Sequence, residues 1–212
     1  MPNHVTNHIT STSEDVLARI AAAFEGEGAD ALVDFNKLIP MPEEINTSNE
    51  PIELVRRAEI VLGLKKFTPP LDRPEAWHNR PLCDPDIISD ERFELFISYL
   101  RAGRKHGHVS WYEWSIAHWG TKWNAYKWDV VDGRHVRFET AWSCPEQIVE
   151  ALAAKVPGPW VWEYADEDIG NNCGTWACDA NGRLWWSVPD AANARAFALG
   201  IKGEDEGMED ED

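Results

Sequence analysis

The stretch YKWDVVDGRHVRFETAW, residues 126–142, decides the fold class. Two runs in which apolar and polar residues alternate, 126–131 and 135–142, flank Asp132 and Gly133. An Asp-Gly pair between such runs is the strongest short-range signal for a β-hairpin. Pro145 then opens an apolar periodic segment that predicts a helix, and alternation over 160–165 predicts another strand. The predicted order here is β–β–α–β.

The N-terminal residues add a second pattern. Residues 3–10 alternate and predict a strand, and a hydroxyl cap with acids after it predicts a helix over 13–25. Alternation over 33–41, closed by Pro40 and Pro42, predicts another strand. Taken together, the segments predict an α+β fold, with an antiparallel sheet and helices mainly on one face.

The middle and the end of the chain complete the predicted organisation. Apolar periodicity predicts helices over 50–64 and 89–103, a Pro-rich connector lies between them, and a short Trp-rich helix starts at Ser110. A second hairpin is predicted around Asn181-Gly182, followed by a helix over 191–199. We therefore expect one α+β domain over residues 1–202. It would have a helical and Pro-rich insertion at about 50–115, a C-terminal part at about 118–200, and a disordered acidic tail over 203–212.

The net charge of −17 at pH 7 narrows the classes of partner. Because phosphate affinity comes from Lys and Arg, so acidic a chain disfavours direct binding of nucleic acid or of an anionic membrane. Seven of the acids lie in residues 204–212, where no base occurs. Basic residues cluster at the end of the helix that follows residue 89. They would complement the helix dipole, and a phosphate-contacting patch is the alternative.

The compartment is inferred from the N-terminus and from the cysteines. The chain begins without a basic and apolar leader, and no apolar run is long enough to span a membrane, so we expect a cytoplasmic protein. Its four cysteines are then expected to be reduced. Cys173 and Cys178 are separated by four residues, which is not the spacing typical of a zinc knuckle. We expect neither a metal nor a cofactor.

The block AHWGTKWNA, residues 117–125, contains the candidate site. It combines a hydroxyl, a cation and an amide with two indoles, and two carboxylates follow the strand that is expected to run beside it. The candidate ligand-binding or partner-binding residues are His118, Trp119, Thr121, Lys122, Trp123, Asn124, Asp166 and Glu167. Three interpretations stay open: a purely structural turn, a site for an anionic ligand or a partner, and catalysis. The block lacks a phosphate-binding glycine loop, so no catalytic residue is assigned.

Several short blocks resemble a known family. They are MPNHVTN at 1–7, IPMP at 39–42, WGTKWNA at 119–125, FETAW at 138–142 and YADE at 164–167. In this order they resemble the YubB or "Api-ninety-two-like" family of small phage, plasmid and integrated-element proteins. The resemblance implies a ferredoxin-like α+β fold for the C-terminal part at about 118–200. It also implies a mobile-element origin, with a bacterial host cell, and it supplies no mechanism. The chain departs from the family pattern at His118, where an Asn is usual.

Two functions of different classes follow. The first is a non-enzymatic interaction protein of a phage or plasmid, binding a host or phage protein through an acidic, Trp-rich surface in a counter-defence or host-factor role. Its motivation is the resemblance, the negative charge and the twelve Trp against four Tyr. The second is a small enzyme or binding protein that acts on an anionic small molecule or nucleotide at Lys122 and Asn124 with Asp166 and Glu167.

Overall fold

The computed structural model describes residues 3–26, 33–46, 51–66, 89–131 and 135–203. The chain divides into two compact units. The first combines residues 1–40 with 115–212, and the second consists of residues 41–114. The second unit is thus inserted, along the chain, between the two parts of the first.

The first unit contains a six-stranded sheet in which every neighbouring pair is antiparallel. Its order is β2-β3-β1-β4-β5-β6, so the N-terminal strand lies near the centre. The strands are β1 (His4–Ser11), β2 (Tyr126–Val131), β3 (His135–Ala141), β4 (Trp160–Asp166), β5 (Cys173–Cys178) and β6 (Leu184–Ser187).

Two helices, α1 (Glu14–Phe24) and α5 (Glu146–Lys155), pack on the same face of this sheet. In β1, Val5, Asn7 and Ile9 are fully buried at alternate positions beneath them. Phe24 of α1 reaches the sheet, where its ring lies 6.3 Å from those of Phe138 and Trp162. The Trp162 indole N–H donates to Asn7 Oδ1 at 3.0 Å, so the polar group in this core is satisfied.

The C-terminal helix, α6 (Ala194–Lys202), packs on the opposite face. Ala165 alternates along β4 with the buried aromatics of the first face, and it clusters with Ala194, Ala198 and Ile201 of α6. Most helices of this unit are thus on one face, as predicted, and one short helix covers part of the other.

The ferredoxin-like fold is confirmed by the chain order β1-α1-β2-β3-α5-β4 and the strand order β2-β3-β1-β4. Residues 4–24 supply the first strand and helix, so the ferredoxin-like arrangement extends beyond the predicted C-terminal part at 118–200. The hairpin β5–β6 widens the sheet by two strands, and it was also predicted. Its loop places Gly182 at φ +78°, and the N–H of Gly182 donates to the Asp179 carbonyl.

The predicted strand over 33–41 is wrong. Residues Phe35–Lys37 form a short 3-10 helix instead, because the Asp34 side chain accepts a hydrogen bond from the Asn36 N–H and caps the turn. The second strand of the ferredoxin-like motif is supplied by β2, on the far side of the insertion in the chain.

The second unit contains α2 (Ile52–Val61) and α3 (Asp90–His106), and α4 (Trp111–Trp119) begins in it. A buried cluster joins α2 to α3 through Leu54, Ala58, Phe96 and Tyr99. Helix α3 continues beyond Gly103, where the sequence predicted its end. The glycine there allows close packing, because a Cβ at Gly103 would lie 2.3 Å from the Leu62 side chain. The helix ends at Gly107, in the left-handed conformation at φ +75°.

Two of the basic residues near the end of α3, Lys105 and His106, both contact the Glu44 carboxylate. No helix in the described part of the chain has the length and apolarity needed to cross a membrane. The predicted connector over 67–85, the Asp132-Gly133 turn and the tail over 204–212 lie outside the described residues.

Candidate functional site

The block at 117–125 contains the last turn of α4 and the turn that leads from it to β2. Neighbouring side chains hold the backbone of this second turn. Gly120 has φ +78°, and a Cβ there would lie 2.3 Å from Gln147 Oε1 and 3.2 Å from Glu146 N. Only glycine suits this position. The buried Thr121 donates through its hydroxyl to the Ala141 carbonyl at 2.7 Å, which ties the turn to the end of β3.

Two residues of the block have structural roles. Trp119 is buried, and its indole N–H donates to the Ile39 carbonyl at 2.8 Å. Asn124 accepts hydrogen bonds from the Phe35 N–H and the Ala125 N–H, each at 2.9 Å, and its amide donates to Asp34 Oδ1 at 2.7 Å. Each polar group of the Asn124 side chain is therefore engaged within the protein.

Lys122 is held between two indoles. Its Nζ lies 4.6 Å from the ring centroid of Trp123 and 4.9 Å from that of Trp142, both within cation–π distance. Among the residues that the structure describes, no carboxylate lies within ion-pair distance of Lys122 Nζ. The backbone below the side chain is fixed, since the Lys122 carbonyl accepts a hydrogen bond from the Ser115 hydroxyl at 2.6 Å.

Trp142 reaches this position through an unusual backbone. Its φ is +77°, a left-handed conformation that is a genuine outlier for so bulky a residue, and its side chain is 39% exposed. Two contacts hold the conformation: the Trp142 N–H donates to the Asn3 carbonyl at 2.9 Å, and the Trp142 carbonyl accepts from the Asn172 amide at 3.0 Å. Strained residues of this kind persist only where their surroundings determine them.

Asp166 belongs to the support of this backbone. It is 3% exposed, and it accepts from the Asn172 amide at 2.8 Å, the Asp168 N–H at 3.0 Å and the Asn3 amide at 3.3 Å. Asp166 therefore connects to Trp142 through Asn172 and Asn3. Glu167 is exposed beside it, with its backbone N–H bonded to the His4 carbonyl.

A second cluster, not predicted as a site, adjoins Trp123. The ring of Tyr126 lies 6.3 Å from that of Trp123, and the Tyr126 hydroxyl shares a 2.6 Å hydrogen bond with His4 Nδ1. Glu139 lies 3.3 Å from the same nitrogen and 3.2 Å from Lys127 Nζ. Burial, followed by the negative charges of Glu139 and Glu167, raises the pKa of Tyr126 to about 12.

A β-bulge brings this second cluster together. The register between β2 and β3 shifts by one residue between Tyr126 and Asp129, and Lys127 there has φ +45°. The sequence shows the alternating run and not the bulge, so reasoning from the sequence missed Tyr126 and Glu139.

The predicted site residues thus separate by role. Lys122 and Trp123 lie together at the surface with Trp142, while Trp119, Thr121, Asn124 and Asp166 are internal supports. His118 lies half-buried in the last turn of α4. Within the described ranges, no group of three His, Cys, Asp or Glu side chains is placed to hold a metal ion. Cys173 and Cys178 lie at opposite ends of β5.

A family model described as "Ferredoxin-like domain in Api92-like protein" matches residues 118–211, from the last turn of α4 onward. This part of the chain is therefore similar to the ferredoxin-like domain of Api92-like proteins. The match confirms the resemblance for this part of the chain, and it contains Lys122, Trp123 and Trp142. Comparison with curated proteins and with solved structures gave no significant match.

The Api92-like match begins only after β1 and α1. Residues 118–211 supply five of the six strands, and the central strand β1 comes from residues 4–11. The support for Trp142 is divided in the same way, because Asn3 lies outside the matched residues and Asp166 and Asn172 lie within them.

Proposed function

We propose that the protein acts as a non-enzymatic interaction protein of a mobile genetic element, binding a host or phage protein through the surface formed by Lys122, Trp123 and Trp142. Opposing a host defence is the role that we propose for it. The mobile-element part of the proposal rests on the family resemblance. The binding part rests on the Lys122 ammonium, which two indoles flank and no described carboxylate neutralises.

The chemistry of this surface favours a protein partner. Tryptophan is enriched among the residues that dominate binding energy, and a lysine held against indoles has already lost much of its side-chain freedom. A carboxylate on the partner would complete the ion pair at Lys122, and an apolar side chain would cover the exposed part of Trp142. The supports beneath are committed to internal hydrogen bonds, which favours recognition over catalysis.

The test is affinity capture from a bacterial host lysate with the full chain as bait, followed by mass spectrometry. Lys122→Met keeps the stem of the side chain and removes the charge. We expect the variant to capture at least about tenfold less of the partner than the parent chain does. Lys155→Met is the matched control, because this exposed lysine makes one hydrogen bond, of 3.0 Å to the Lys37 carbonyl, among the residues that the structure describes. Equal capture by Lys122→Met would refute this surface as the binding site.

Two further measurements complete the design. The unfolding temperature of Lys122→Met should match that of the parent. If the variant loses stability together with partner capture, the lysine has a structural role instead. Removal of residues 203–212 should leave capture unchanged. If capture were lost, the acidic tail would be the binding segment.

A second candidate function uses the same lysine. An anionic small molecule or nucleotide would pair its charge with Lys122 and stack on the exposed Trp142, and the unneutralised ammonium favours this candidate too. Asn124 and Asp166, expected to contribute, are engaged internally, so Lys122 and the indoles would supply most of the contacts. Calorimetric titration with nucleotides should show binding that Lys122→Met abolishes.

A further inference from the structure

Among the residues that the structure describes, strand β6 forms one edge of the sheet. Within that part of the chain it pairs only with β5, and it is bounded by the Asn181-Gly182 turn at one end and Pro189 at the other. Natural edge strands are usually protected by charged side chains, by proline or by a covering element. The four residues of β6, Leu-Trp-Trp-Ser, contain neither charge nor proline.

The backbone of β6 presents hydrogen-bonding groups at alternate residues. The Asp179 N–H donates to the Arg183 carbonyl at 3.1 Å, which sets the phase of the ladder. The pairs Ala177–Trp185 and Thr175–Ser187 then exchange hydrogen bonds across the hairpin. Leu184, Trp186 and, by continuation, Val188 therefore direct their N–H and C=O groups away from the sheet.

Large apolar side chains flank this edge on both faces. Trp185 is 46% exposed, Trp186 is 52% exposed, and the two alternate across the strand. Trp186 is positioned, since its indole N–H donates to the Tyr164 hydroxyl at 3.2 Å and its ring lies 6.2 Å from Trp176. Arg183 lies over the Trp185 ring at 5.4 Å.

We propose that β6 pairs antiparallel with β6 of a second copy of this chain about a two-fold axis at Trp186. In that register, Trp186 faces its own counterpart and Leu184 faces Val188 of the second copy. The outward backbone groups of these residues meet, forming about six hydrogen bonds. The sheets of the two copies become continuous, and the Trp186 rings pack across the axis on one face.

The charges beside the strand fit a second copy. Arg183 precedes β6 and Asp190 follows it, so an antiparallel arrangement places the arginine of each copy close to the aspartate of the other. A two-fold interface must be complementary to itself, and this edge meets that condition in backbone, ring and charge.

The proposed contact between the two copies is small. One short strand with its flanking rings buries less than the roughly 1,200 Å² typical of stable interfaces, and the net charge of −17 on each copy opposes association. The dimer is therefore weak, with dissociation in the micromolar range or above.

The test is sedimentation velocity of the full chain from about 10 μM to about 1 mM. We expect the weight-average mass to rise toward that of a dimer with concentration. Leu184→Pro removes one outward N–H that the paired strands need, so the variant should stay monomeric. It should still fold, because proline is tolerated on an edge strand where its nitrogen faces solvent. Leu184→Ala is the matched control, since it loses the same side chain, keeps the N–H and should still dimerise.

Arg183→Glu tests the register. It places like charges at both ends of the paired strands and should weaken association at least about tenfold, whereas Arg183→Lys should retain it. Circular dichroism confirms that each variant is folded. A wild-type chain that stays monomeric throughout, or a folded Leu184→Pro variant that dimerises as well as Leu184→Ala, would overturn the proposal. Lys122→Met should dimerise normally, so this proposal and the proposed function fail independently.

Discussion

At the scale of the residue, the composition of the block at 119–124 has a physical explanation at nearly every position. Trp119 fills the core and donates to a carbonyl, Thr121 ties the turn to β3, and Gly120 permits the left-handed turn between them. Lys122 differs because its ammonium contacts only rings among the described residues. Function is best sought at the residue whose chemistry the fold does not consume.

Gly120→Ala should destabilise the first unit by about 1–2 kcal/mol or more, because a left-handed φ and a close Gln147 both oppose a Cβ. The measurement is the midpoint of urea unfolding. Gly200→Ala is the matched control, because Gly200 lies inside α6. Outside the helix backbone, a Cβ at this position would meet no described atom within 4 Å, so alanine should raise the free energy of unfolding by about 0.5–1 kcal/mol. Equal effects at both positions would contradict the role given to Gly120.

At the scale of the element, Asn124 connects the 3-10 helix Phe35–Lys37 to the start of β2. The two segments are distant in sequence, and one amide side chain joins them through the Phe35 N–H and the Asp34 carboxylate. This connection explains why residues 33–41 do not form a strand. The Phe35 N–H bonds to Asn124 and the Asn36 N–H bonds to the Asp34 side chain, while the N–H groups of residues 37–39 bond to carbonyls of the same turn.

Asn124→Asp should destabilise the protein at pH 7 and recover part of the loss near pH 4. The new carboxylate would still accept from the Phe35 N–H, but it would face Asp34 at hydrogen-bond distance, and two like charges there repel. Protonation of one carboxyl at low pH restores a hydrogen bond between them. Urea midpoints of parent and variant at both pH values provide the check, and a deficit that does not narrow at pH 4 would contradict the contact.

At the scale of the whole molecule, the order of the strands makes the two ends of the chain interdependent. Strand β1 lies between β3 and β4, yet 114 residues separate the last residue of β1 from the first of β2 in the chain, as Ser11 and Tyr126 show. The Api92-like match at 118–211 therefore covers a sheet from which a central strand is missing. The second unit, residues 41–114, is inserted between these parts.

A fragment of residues 118–212 should fail to fold by itself, because β3 and β4 would lose the strand that both of them pair with. Joining residues 1–40 to 115–212 through a flexible linker of about 15 residues should restore the fold. Near-ultraviolet circular dichroism and the dispersion of amide proton signals report the outcome. A cooperatively folded 118–212 fragment would show that β1 is dispensable.

The sequence by itself determined most of the elements and the α+β class, because alternation, caps and Asp-Gly or Asn-Gly turns are local signals. The ferredoxin-like topology was expected from the family resemblance of its short blocks. It also singled out Lys122. Only the tertiary structure decided that Asn124 and Asp166 are supports, that Trp142 joins Lys122 through a left-handed backbone, and that a bulge assembles His4, Tyr126 and Glu139. Those arrangements depend on hydrogen bonds between residues far apart in the chain, and the spacing of residues along a sequence carries no record of them.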